Sequence, residues 1–437
     1  MAVSREHTEH TASPDVVVVG GGIGGLSTAY ALSRVGLEVR LLERAPEFGE
    51  IGAGLQIAPN CTRILDEYGL LEEVTSLGVL PDDMIMFDGV GPQRSGEEMT
   101  RLDLHDLEKR YGFPYVVIHR SDLHGILLRA CQRRGVQLVN GATAVDYESG
   151  VDEHGRRCAT VILENGTRHT APIVIAAEGI HSPARARFVG DDPVSSSYVA
   201  YRGAIPMAEA RENNIHEKAV VLYLGNNCHF VQYGLRGGEM FNQVAVFESP
   251  AALAGDEDWG TPDELDAAFA DTVGDVQDGL KFMWRDRWWR MYDRESIPNW
   301  IFGRVALLGD SAHAPLQYIA QGAIMAIEDG WVLAKHVEMN RSPSGEVDWD
   351  TALQAYNAVR TQHTARVLAT SREWGILWHH VGVKRRQRNA ILRARDVYDY
   401  SFVDWLYGPT ALFPEDEAEM FTPIPLESAV LAQSSGS

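Results

Sequence analysis

The hydrophobic pattern of the first 190 residues is one of short apolar runs that alternate with helical stretches. Val16–Val19 and Ile173–Ala176 contain no polar residue, which is typical of strands buried on both faces of a parallel sheet. The same pattern predicts a helix at 24–35, a second strand at 38–42 and a later helix capped by Ser121. This alternation predicts an α/β unit of the nucleotide-binding type.

From about Ser195 the pattern changes to a period of two. An antiparallel sheet with one covered face is predicted there, with strands at 197–204, 219–224, 228–235 and 243–247. Strand–helix alternation returns at Val305, and helices are predicted through most of 321–395. The predicted fold class is therefore α/β: a Rossmann-like domain, interrupted by an inserted antiparallel β-sheet domain and followed by a C-terminal helical segment.

Composition and charge narrow the classes of partner. The 437 residues carry a formal net charge of −22, which would repel a nucleic-acid backbone. The polar start at 1–13 has no signal-peptide core, and the glycines within 16–32 argue against a membrane span. Four scattered cysteines without a C-x-x-C pair favour buried thiols in a reducing compartment. We therefore expect a cytoplasmic protein with no nucleic-acid partner and no membrane span, and we leave a homodimer open.

A glycine-rich loop after the first strand predicts dinucleotide binding. Gly20, Gly22 and Gly25 have G-x-G-x-x-G spacing between a strand and a helix. The first glycine permits a tight turn, the second lets the backbone approach a pyrophosphate, and the third allows close packing of helix on strand. Glu43 ends the second strand, where a carboxylate can accept a hydrogen bond from a ribose hydroxyl. This loop does not distinguish FAD from NAD.

A second carboxylate favours FAD. Asp310 follows the apolar strand at 305–308, in the sequence GDSAH. FAD has a ribityl chain that NAD lacks, and a carboxylate at a strand end can accept hydrogen bonds from its hydroxyls. A helix that begins near Gln321 would direct its positive end towards the flavin ring. Together with the glycine loop, this pattern predicts non-covalently bound FAD.

Over nearly its whole length the chain resembles the single-component FAD-dependent aromatic hydroxylases, the class A flavoprotein monooxygenases. The resemblance rests on the glycine loop with Glu43, HRSDLH at 119–124, AEGIHSPAR at 177–185, and GDSAH followed by QGAIMAIED. It implies that FAD is contacted by Gly20, Gly22, Ile23, Gly25, Glu43, Arg44, Arg120, Asp310, Gln321, Gly322 and Ala323. An FAD-binding domain is expected in two parts, at 14–190 and 293–365. A β-sheet substrate domain is expected between them at 191–292, and a C-terminal helical region with a tail at 366–437.

Two departures from the usual family pattern narrow the resemblance. Gln317 stands where the family has a proline after His313, and Ile324 replaces an asparagine at the helix start. With GLQIAPN at 54–60 and CHFVQY at 228–233, the chain is similar to hydroxylases of 3-hydroxybenzoate, with salicylate hydroxylases as relatives. The resemblance implies that NADH or NADPH binds transiently and reduces the flavin. With O₂, the reduced flavin then hydroxylates a phenol or phenolic acid, and conversion of 3-hydroxybenzoate to gentisate is the preferred reaction.

The substrate is predicted to lie against one strand of the inserted sheet. Period-two geometry puts His229, Val231 and Tyr233 on one face of that strand. Given the resemblance, we predict that His229, with an ordinary pKa, accepts the phenolic proton, because a phenol must gain phenolate character to react. Gln317 is the second predicted catalytic residue, as a ligand for a hydroxyl or carboxylate. Tyr233 and Tyr115 are predicted to bind the substrate, with simple packing as the alternative for both.

No catalytic or metal-binding role is predicted for three other histidines, and two alternative functions remain open. His313 is expected to be a structural part of GDSAH, and His379–His380 lacks metal spacing, so no metal is predicted. A related flavoprotein that reduces or halogenates its substrate is one alternative. A non-catalytic, redox-responsive dinucleotide-binding regulator is the other. Oxidation of NAD(P)H with and without candidate phenols would separate the three.

Overall fold

The strands fall into four sheets in the computed structural model, which describes residues 13–49 and 54–408. In chain order these strands are β1 Val16–Val19, β2 Val39–Leu42, β3 Gly54–Ile57, β4 Asp83–Asp88, β5 Glu97–Asp103, β6 Val116–His119, β7 Gln137–Val139, β8 Ala144–Val151, β9 Arg157–Leu163, β10 Arg168–Ala171, β11 Ile173–Ala176, β12 Val194–Pro206, β13 Ala219–Leu224, β14 Cys228–Leu235, β15 Met240–Glu248, β16 Trp289–Asp293, β17 Ile301–Phe302 and β18 Val305–Leu307.

The helices are distributed along the whole described chain. They are α1 Ile23–Arg34, α2 Pro59–Glu67, α3 Leu71–Leu77, α4 Leu104–Tyr111, α5 Arg120–Arg133, α6 Pro183–Phe188, α7 Met207–Ala210, α8 Pro250–Ala254, α9 Pro262–Ala268, α10 Gly274–Leu280, α11 Asp310–His313, α12 Gly322–Met339, α13 Trp349–Trp378, α14 Gly382–Ala394 and α15 Asp404–Tyr407. Short 3₁₀ turns occupy Arg236–Gly238 and Gln317–Ile319. Of these described helices, none is long and apolar enough to cross a bilayer.

A six-stranded sheet forms the core of the nucleotide-binding part. Its order is β17-β18-β11-β1-β2-β7, and every neighbouring pair is parallel except β17 with β18. All four valines of β1 are buried, because the strand lies inside the sheet and helix α1 packs between it and helices α5 and α12. The predicted Rossmann-like fold is confirmed. The predicted cap at Ser121 is wrong by two positions, since α5 begins after His119, whose ring accepts the backbone N–H of Ser121.

The second large sheet has seven strands in the order β16-β12-β15-β14-β13-β4-β5. Its pairs are antiparallel except β13 with β4, in which Ala219 pairs with Asp83. The predicted inserted antiparallel sheet is therefore present. However, β4 and β5 come from the first 190 residues, so the sheet draws on both sides of the boundary expected at 190. Apolar side chains on one face of this sheet form a second core with helices α9 and α10.

The C-terminal helices join the two parts. Helix α13 spans 30 residues and packs along α12, and α14 lies against β5. Arg385 and Asn389 of α14 both donate to Asp88 at the end of β4, with distances of 2.6 and 2.7 Å. The expected tail lies, from residue 409 onwards, outside the described residues.

Candidate active site

One large cavity lies where the two sheets meet. Its volume is about 1030 Å³, and residues at the carboxyl ends of β1, β2, β11 and β18 line one side of it. One face of the seven-stranded sheet lines the other side. Ligands of open α/β sheets bind outside the carboxyl ends of the strands, and single small-ligand pockets are about 300–1,000 Å³. This cavity therefore has room for a large cofactor together with a small substrate.

The glycine loop offers backbone rather than side chains to this cavity. Gly20 has φ 107°, and a Cβ atom there would lie 2.2 Å from the carbonyl oxygen of Ala177. Gly22 caps α1 without a side-chain hydrogen bond, and the first turn of that helix holds no acidic residue. Gly20, Gly22 and Ile23 line the cavity. Amide groups at an uncapped helix N-terminus bind phosphate oxygens, so this end of the cavity fits a pyrophosphate.

Gly25 has a different place from the other two motif glycines. It does not line the cavity; a Cβ atom on it would lie 1.9 Å from the carbonyl oxygen of Gly20. It permits the helix to approach the strand, which is the packing role that the spacing predicts.

Glu43 holds the glycine loop and faces the same cavity. Its carboxylate accepts the backbone N–H of Gly21 at 2.6 Å and that of Ala45 at 2.8 Å. A carboxylate accepts about four hydrogen bonds, so lone pairs are left for the hydroxyls of a ribose. Arg44 and Arg120 also line the cavity. These positions are compatible with the predicted contacts to FAD.

The end of β18 and the start of α12 form another part of the wall on the side of the six-stranded sheet. Gly309 has φ 62°, and Asp310 begins α11 and lines the cavity. Helix α12 starts without a side-chain cap, and Gly322 and Ala323 in its first turn face the cavity. The side chain of Gln321 is directed elsewhere, since it is buried and accepts a hydrogen bond from Asn60 at 3.0 Å. Any contribution of Gln321 to flavin binding therefore comes through its backbone.

A buried ionic cluster fixes this wall. Asp329 of α12 accepts from the backbone N–H of Gly309 at 2.9 Å, and it pairs with His313 at 2.6 Å. Arg360 of α13 donates to Asp329 at 2.7 Å and to Glu328 at 2.9 Å, and all three side chains are fully buried. Burial would raise the pKa of Asp329, but His313 and Arg360 bring it to about 2. The cluster ties the GDSAH loop to α12 and so supports the structural role predicted for His313.

Replacement of Asp310 by alanine is expected to weaken FAD binding. A hydrogen bond to a charged group is worth about 1.5–3 kcal/mol, so the Kd for FAD should rise roughly 10- to 150-fold. The measurement is the fluorescence of flavin released from the holoenzyme during titration. Asp310→Asn, which keeps an acceptor but loses the charge, should lie between wild type and Asp310→Ala. An alanine variant that retains FAD as tightly as wild type would contradict the ribityl assignment.

The substrate side of the cavity is one face of the seven-stranded sheet. His229, Val231 and Tyr233 all line it, as expected for alternate residues of β14. Val231 lies in register with neighbours across the sheet that also line the cavity, namely Arg202, Val244, Leu222 and Met86. This face is mainly apolar with few polar groups, which suits a small aromatic ligand.

His229 is more deeply buried than the sequence suggested. Burial lowers its pKa to about 3, so the expectation of an ordinary pKa is wrong. Its Nδ1 atom lies 2.8 Å from Nε2 of His379, at the end of α13. The rings of Tyr318 and Trp378 lie against it, with centroids 5.7 and 5.2 Å away. An imidazole in this environment is neutral at pH 7, so one ring nitrogen can accept a proton.

The other predicted substrate residues surround the same space. Gln317 begins the 3₁₀ turn before α12 and lines the cavity, and its side-chain amide makes no hydrogen bond to a described residue. Tyr233 donates to the carbonyl of Gly54 at 3.1 Å, and Tyr115 donates to Gln56 at 2.7 Å. Gln317 is therefore available to a ligand, whereas both tyrosine hydroxyls are engaged within the protein.

Arg202 is a cavity residue that the sequence reasoning missed. It lies on β12, and burial lowers the pKa of its guanidinium. Its guanidinium makes no hydrogen bond or ion pair with a residue that the structure describes, although its Cζ atom lies 5.2 Å from the ring centre of Trp289. A half-buried cation with no carboxylate partner among the described residues is a candidate ligand for an anion. The only signal in the sequence was a charged residue on the inward face of an alternating strand.

The AEGIHSPAR segment makes a structural link to the GDSAH loop. Arg185 is fully buried; it pairs with Asp191 at 2.5 Å and donates to the carbonyl of Ala312 at 2.6 Å. Glu178 lines the cavity and accepts from Ser182 at 2.5 Å. The side chain of Arg185 is therefore engaged inside the protein and is not among the residues that line the cavity.

The chain is similar in sequence and structure to known proteins over most of its length. A family model described as "FAD binding domain" matches residues 13–371. The chain is 36% identical over 408 residues to a 3-hydroxybenzoate 6-hydroxylase of Polaromonas naphthalenivorans, covering 92% of this chain and 97% of that protein. It is 33% identical over 407 residues to the 3-amino-4-hydroxybenzoate 2-monooxygenase PtnB3 of Streptomyces platensis, covering 91% and 96%. A solved salicylate hydroxylase–substrate complex superposes with a TM-score of 0.72 at 25% identity, covering 90% and 95%.

Proposed function

Since the chain belongs to the FAD-binding-domain family of aromatic hydroxylases, we propose that it uses NAD(P)H and O₂ to hydroxylate a phenolic aromatic acid. The preferred substrate in this proposal is 3-hydroxybenzoate and the product is gentisate. In the balanced reaction, one oxygen atom of O₂ enters the ring and the other leaves as water. NAD(P)H and one proton are consumed, and NAD(P)⁺ is released.

The observation that carries the proposal is the shared cavity. The glycine loop, the start of α12, His229 and Gln317 all line it, although they come from distant parts of the chain. A dinucleotide-binding regulator would not need a second, apolar face with an unengaged amide and a neutral imidazole. The two relatives at 36% and 33% identity are named for reactions on hydroxybenzoates, which supports an acid substrate.

The residues of the chain have separable tasks in this reaction. Bound FAD would supply the redox chemistry, namely the acceptance of a hydride from NAD(P)H and the activation of O₂. His229 is assigned the proton of the phenolic hydroxyl, and Gln317 a hydrogen bond that orients the ring. The uncapped start of α12 offers positive potential to the negative charge that the cofactor gains on reduction. The apolar neighbours of Val231 exclude water from the ring.

We assign the carboxylate of the substrate to Arg202. Arg202 of β12 pairs with Val244 of β15, which pairs in turn with Val231 of β14. His229 lies two residues before Val231 in β14. With strands about 4.8 Å apart and a rise of about 3.4 Å per residue, the Cα atoms of Arg202 and His229 are roughly 12 Å apart. Both side chains line the cavity on the same face of the sheet, so a substrate that lies between them can meet both.

The test of the proposed function is a substrate panel with flavin-saturated enzyme. NAD(P)H oxidation and product are measured with 3-hydroxybenzoate, salicylate, 3-amino-4-hydroxybenzoate and the neutral 3-hydroxybenzyl alcohol. Incorporation of ¹⁸O from ¹⁸O₂ into a dihydroxybenzoate supports the proposal, and gentisate identifies the ring position. Catechol and CO₂ from salicylate would indicate the alternative, salicylate-type activity. The proposal fails if no phenol in the panel stimulates NAD(P)H oxidation.

Replacement of Arg202 by methionine should weaken the binding of substrates that carry a carboxylate, and not of neutral ones. A charge-assisted hydrogen bond is worth about 1.5–3 kcal/mol, so KM for 3-hydroxybenzoate should rise roughly 10- to 150-fold. KM for 3-hydroxybenzyl alcohol should change little, because it has no carboxylate. Arg290→Met is the matched control, since Arg290 also lies over a tryptophan, at 4.6 Å from the ring of Trp259, but does not line the cavity. Equal losses for the acid and the alcohol, or loss of FAD, would refute the assignment.

Two further expectations belong to this proposal. Consumption of NAD(P)H and four unpaired cysteines fit a cytoplasmic location. A homodimer is the assembly that we would test first, by light scattering of the holoenzyme.

A further inference from the structure

The contact between His229 and His379 bears on the proposed reaction. Their ring nitrogens are 2.8 Å apart, and both side chains are buried, at 1% and 4% exposure. His229 comes from β14 of the inserted sheet, whereas His379 follows the last residue of α13. The two residues are therefore brought together only by the packing of the C-terminal helices on the sheet.

The surroundings hold His379 in one orientation. Its ring stacks on Tyr198 of β12 with centroids 4.5 Å apart, and Tyr318 meets it edge-on at 5.5 Å. Its backbone N–H donates to the carbonyl of Gly375 at 3.2 Å. Arg388 of α14 lies close enough, with His229, to lower the pKa of His379 further below the value that burial alone would give. An ordered and neutral imidazole at this point can accept a hydrogen bond or donate one.

We propose that His379 is a positioning residue for His229: it determines which ring nitrogen of His229 is free to accept the phenolic proton. When Nε2 of His379 accepts the Nδ1 proton of His229, Nε2 of His229 is left unprotonated. This is the nitrogen of His229 that makes no hydrogen bond to a described residue and is available to a ligand in the cavity. The inference rests on the proposed function, because it needs a substrate with an ionisable hydroxyl.

His379 matters because burial makes His229 a weak base. An imidazole with a pKa of about 3 is a poor acceptor for a proton from a phenol, whose ordinary pKa is about 10. The accepting nitrogen must therefore be unprotonated and already directed at the substrate. In the transfer, the O–H bond of the phenol breaks and an N–H bond forms at Nε2 of His229. The Nδ1 proton stays on His229, hydrogen-bonded to Nε2 of His379, because burial and the cation of Arg388 oppose a positive charge on the ring of His379.

The chain offers a matched pair of variants for the test. His379→Leu removes the acceptor, whereas His379→Gln keeps an amide oxygen close to the position of Nε2. His380 is the control position, because it is the neighbouring histidine, its Nδ1 atom is also buried without a described partner, and it does not contact His229. His380→Leu and His380→Gln should therefore behave as wild type.

The decisive readout needs no turnover. Oxidised, FAD-loaded enzyme is titrated with 3-hydroxy-4-nitrobenzoate, whose phenolate form absorbs visible light, and the bound phenolate fraction is recorded against pH. His379→Leu should shift the midpoint of this ionisation upwards by about one pH unit or more. His379→Gln should restore most of the shift. In turnover, His379→Leu should lose about tenfold in product formed per NAD(P)H at pH 7, with recovery at higher pH.

The outcomes separate this inference from the proposed function. If wild type ionises the bound nitrophenol and both His379 variants do so at the same pH, His379 has no positioning role while the proposed function stands. Equal losses in His379→Leu and His379→Gln would also overturn the inference, since a packing role would not distinguish the two. If His379→Leu does not yield holoenzyme, the comparison of His379→Gln with His379→Asn, whose amide is shorter, decides in the same way. If wild type neither binds nor ionises any phenol, the proposed function itself is wrong.

Discussion

Replacement of His229 by alanine should reduce product formation by about 10²- to 10⁴-fold, the usual cost of removing a general base. Consumption of NAD(P)H should continue, because reduction of the flavin does not need the phenolic proton to be removed. Electrons from NAD(P)H would then appear mainly as hydrogen peroxide. Product and peroxide are measured in the same reaction, with substrate present and the enzyme saturated with FAD.

The pH dependence of the variant provides the sharper test. A phenol ionises without help as the pH approaches its own pKa of about 10, so part of the product should return in alkaline buffer. His216→Ala is the control, because His216 precedes β13 beside Phe87 and does not line the cavity. Wild-type coupling of His229→Ala at pH 7 would assign His229 to packing and place the base elsewhere.

Replacement of Arg360 by methionine should lower the free energy of unfolding by about 3–5 kcal/mol. Methionine has a similar length, but it leaves Glu328 and Asp329 buried without their cation, and an uncompensated buried charge has this cost. Because Asp329 also accepts from Gly309 and His313, loss of the cluster should loosen the loop that presents Asp310. The variant should therefore bind FAD more weakly as well.

The measurement is urea unfolding of the wild-type and Arg360→Met holoenzymes at the same excess of FAD. Unfolding is monitored by flavin fluorescence and by circular dichroism. Arg285→Met is the control, since Arg285 pairs with Asp266 on the surface, where an ion pair contributes about 0–1 kcal/mol. Arg360→Met within 1 kcal/mol of wild type would mean that the carboxyl groups are neutralised in another way.

The elements with local signals were predictable. The bounds of β1, β11, β13 and β14 agree with the predictions because each is a short, mainly apolar run. The glycine loop and the GDSAH loop were found for a similar reason, since each combines a strand end with a characteristic short sequence. For such features the local chain contains the necessary physical information.

The unpredicted features all depend on contacts between distant residues. The pairing of β4 with β13 and the approach of His379 to His229 have no signature in either segment alone. Burial sets the low pKa of His229, and burial is a property of the assembled sheet and helices. Arg202 was overlooked because one charged residue in a strand is uninformative until its face of the sheet is known.

The parallel pairing of β4 with β13 also determines when the protein can become active during synthesis. Asp83 leaves the ribosome roughly 130 residues before its partner Ala219, a delay on the order of 10 s at about 5–20 residues per second. During that interval β4 can pair with β5 on one side, but its other edge, which later pairs with β13, is open to association with other chains. Asp310 and the start of α12 emerge later still. Both halves of the cavity are thus completed late, so a nascent or truncated chain that ends before about residue 323 should retain neither FAD nor substrate.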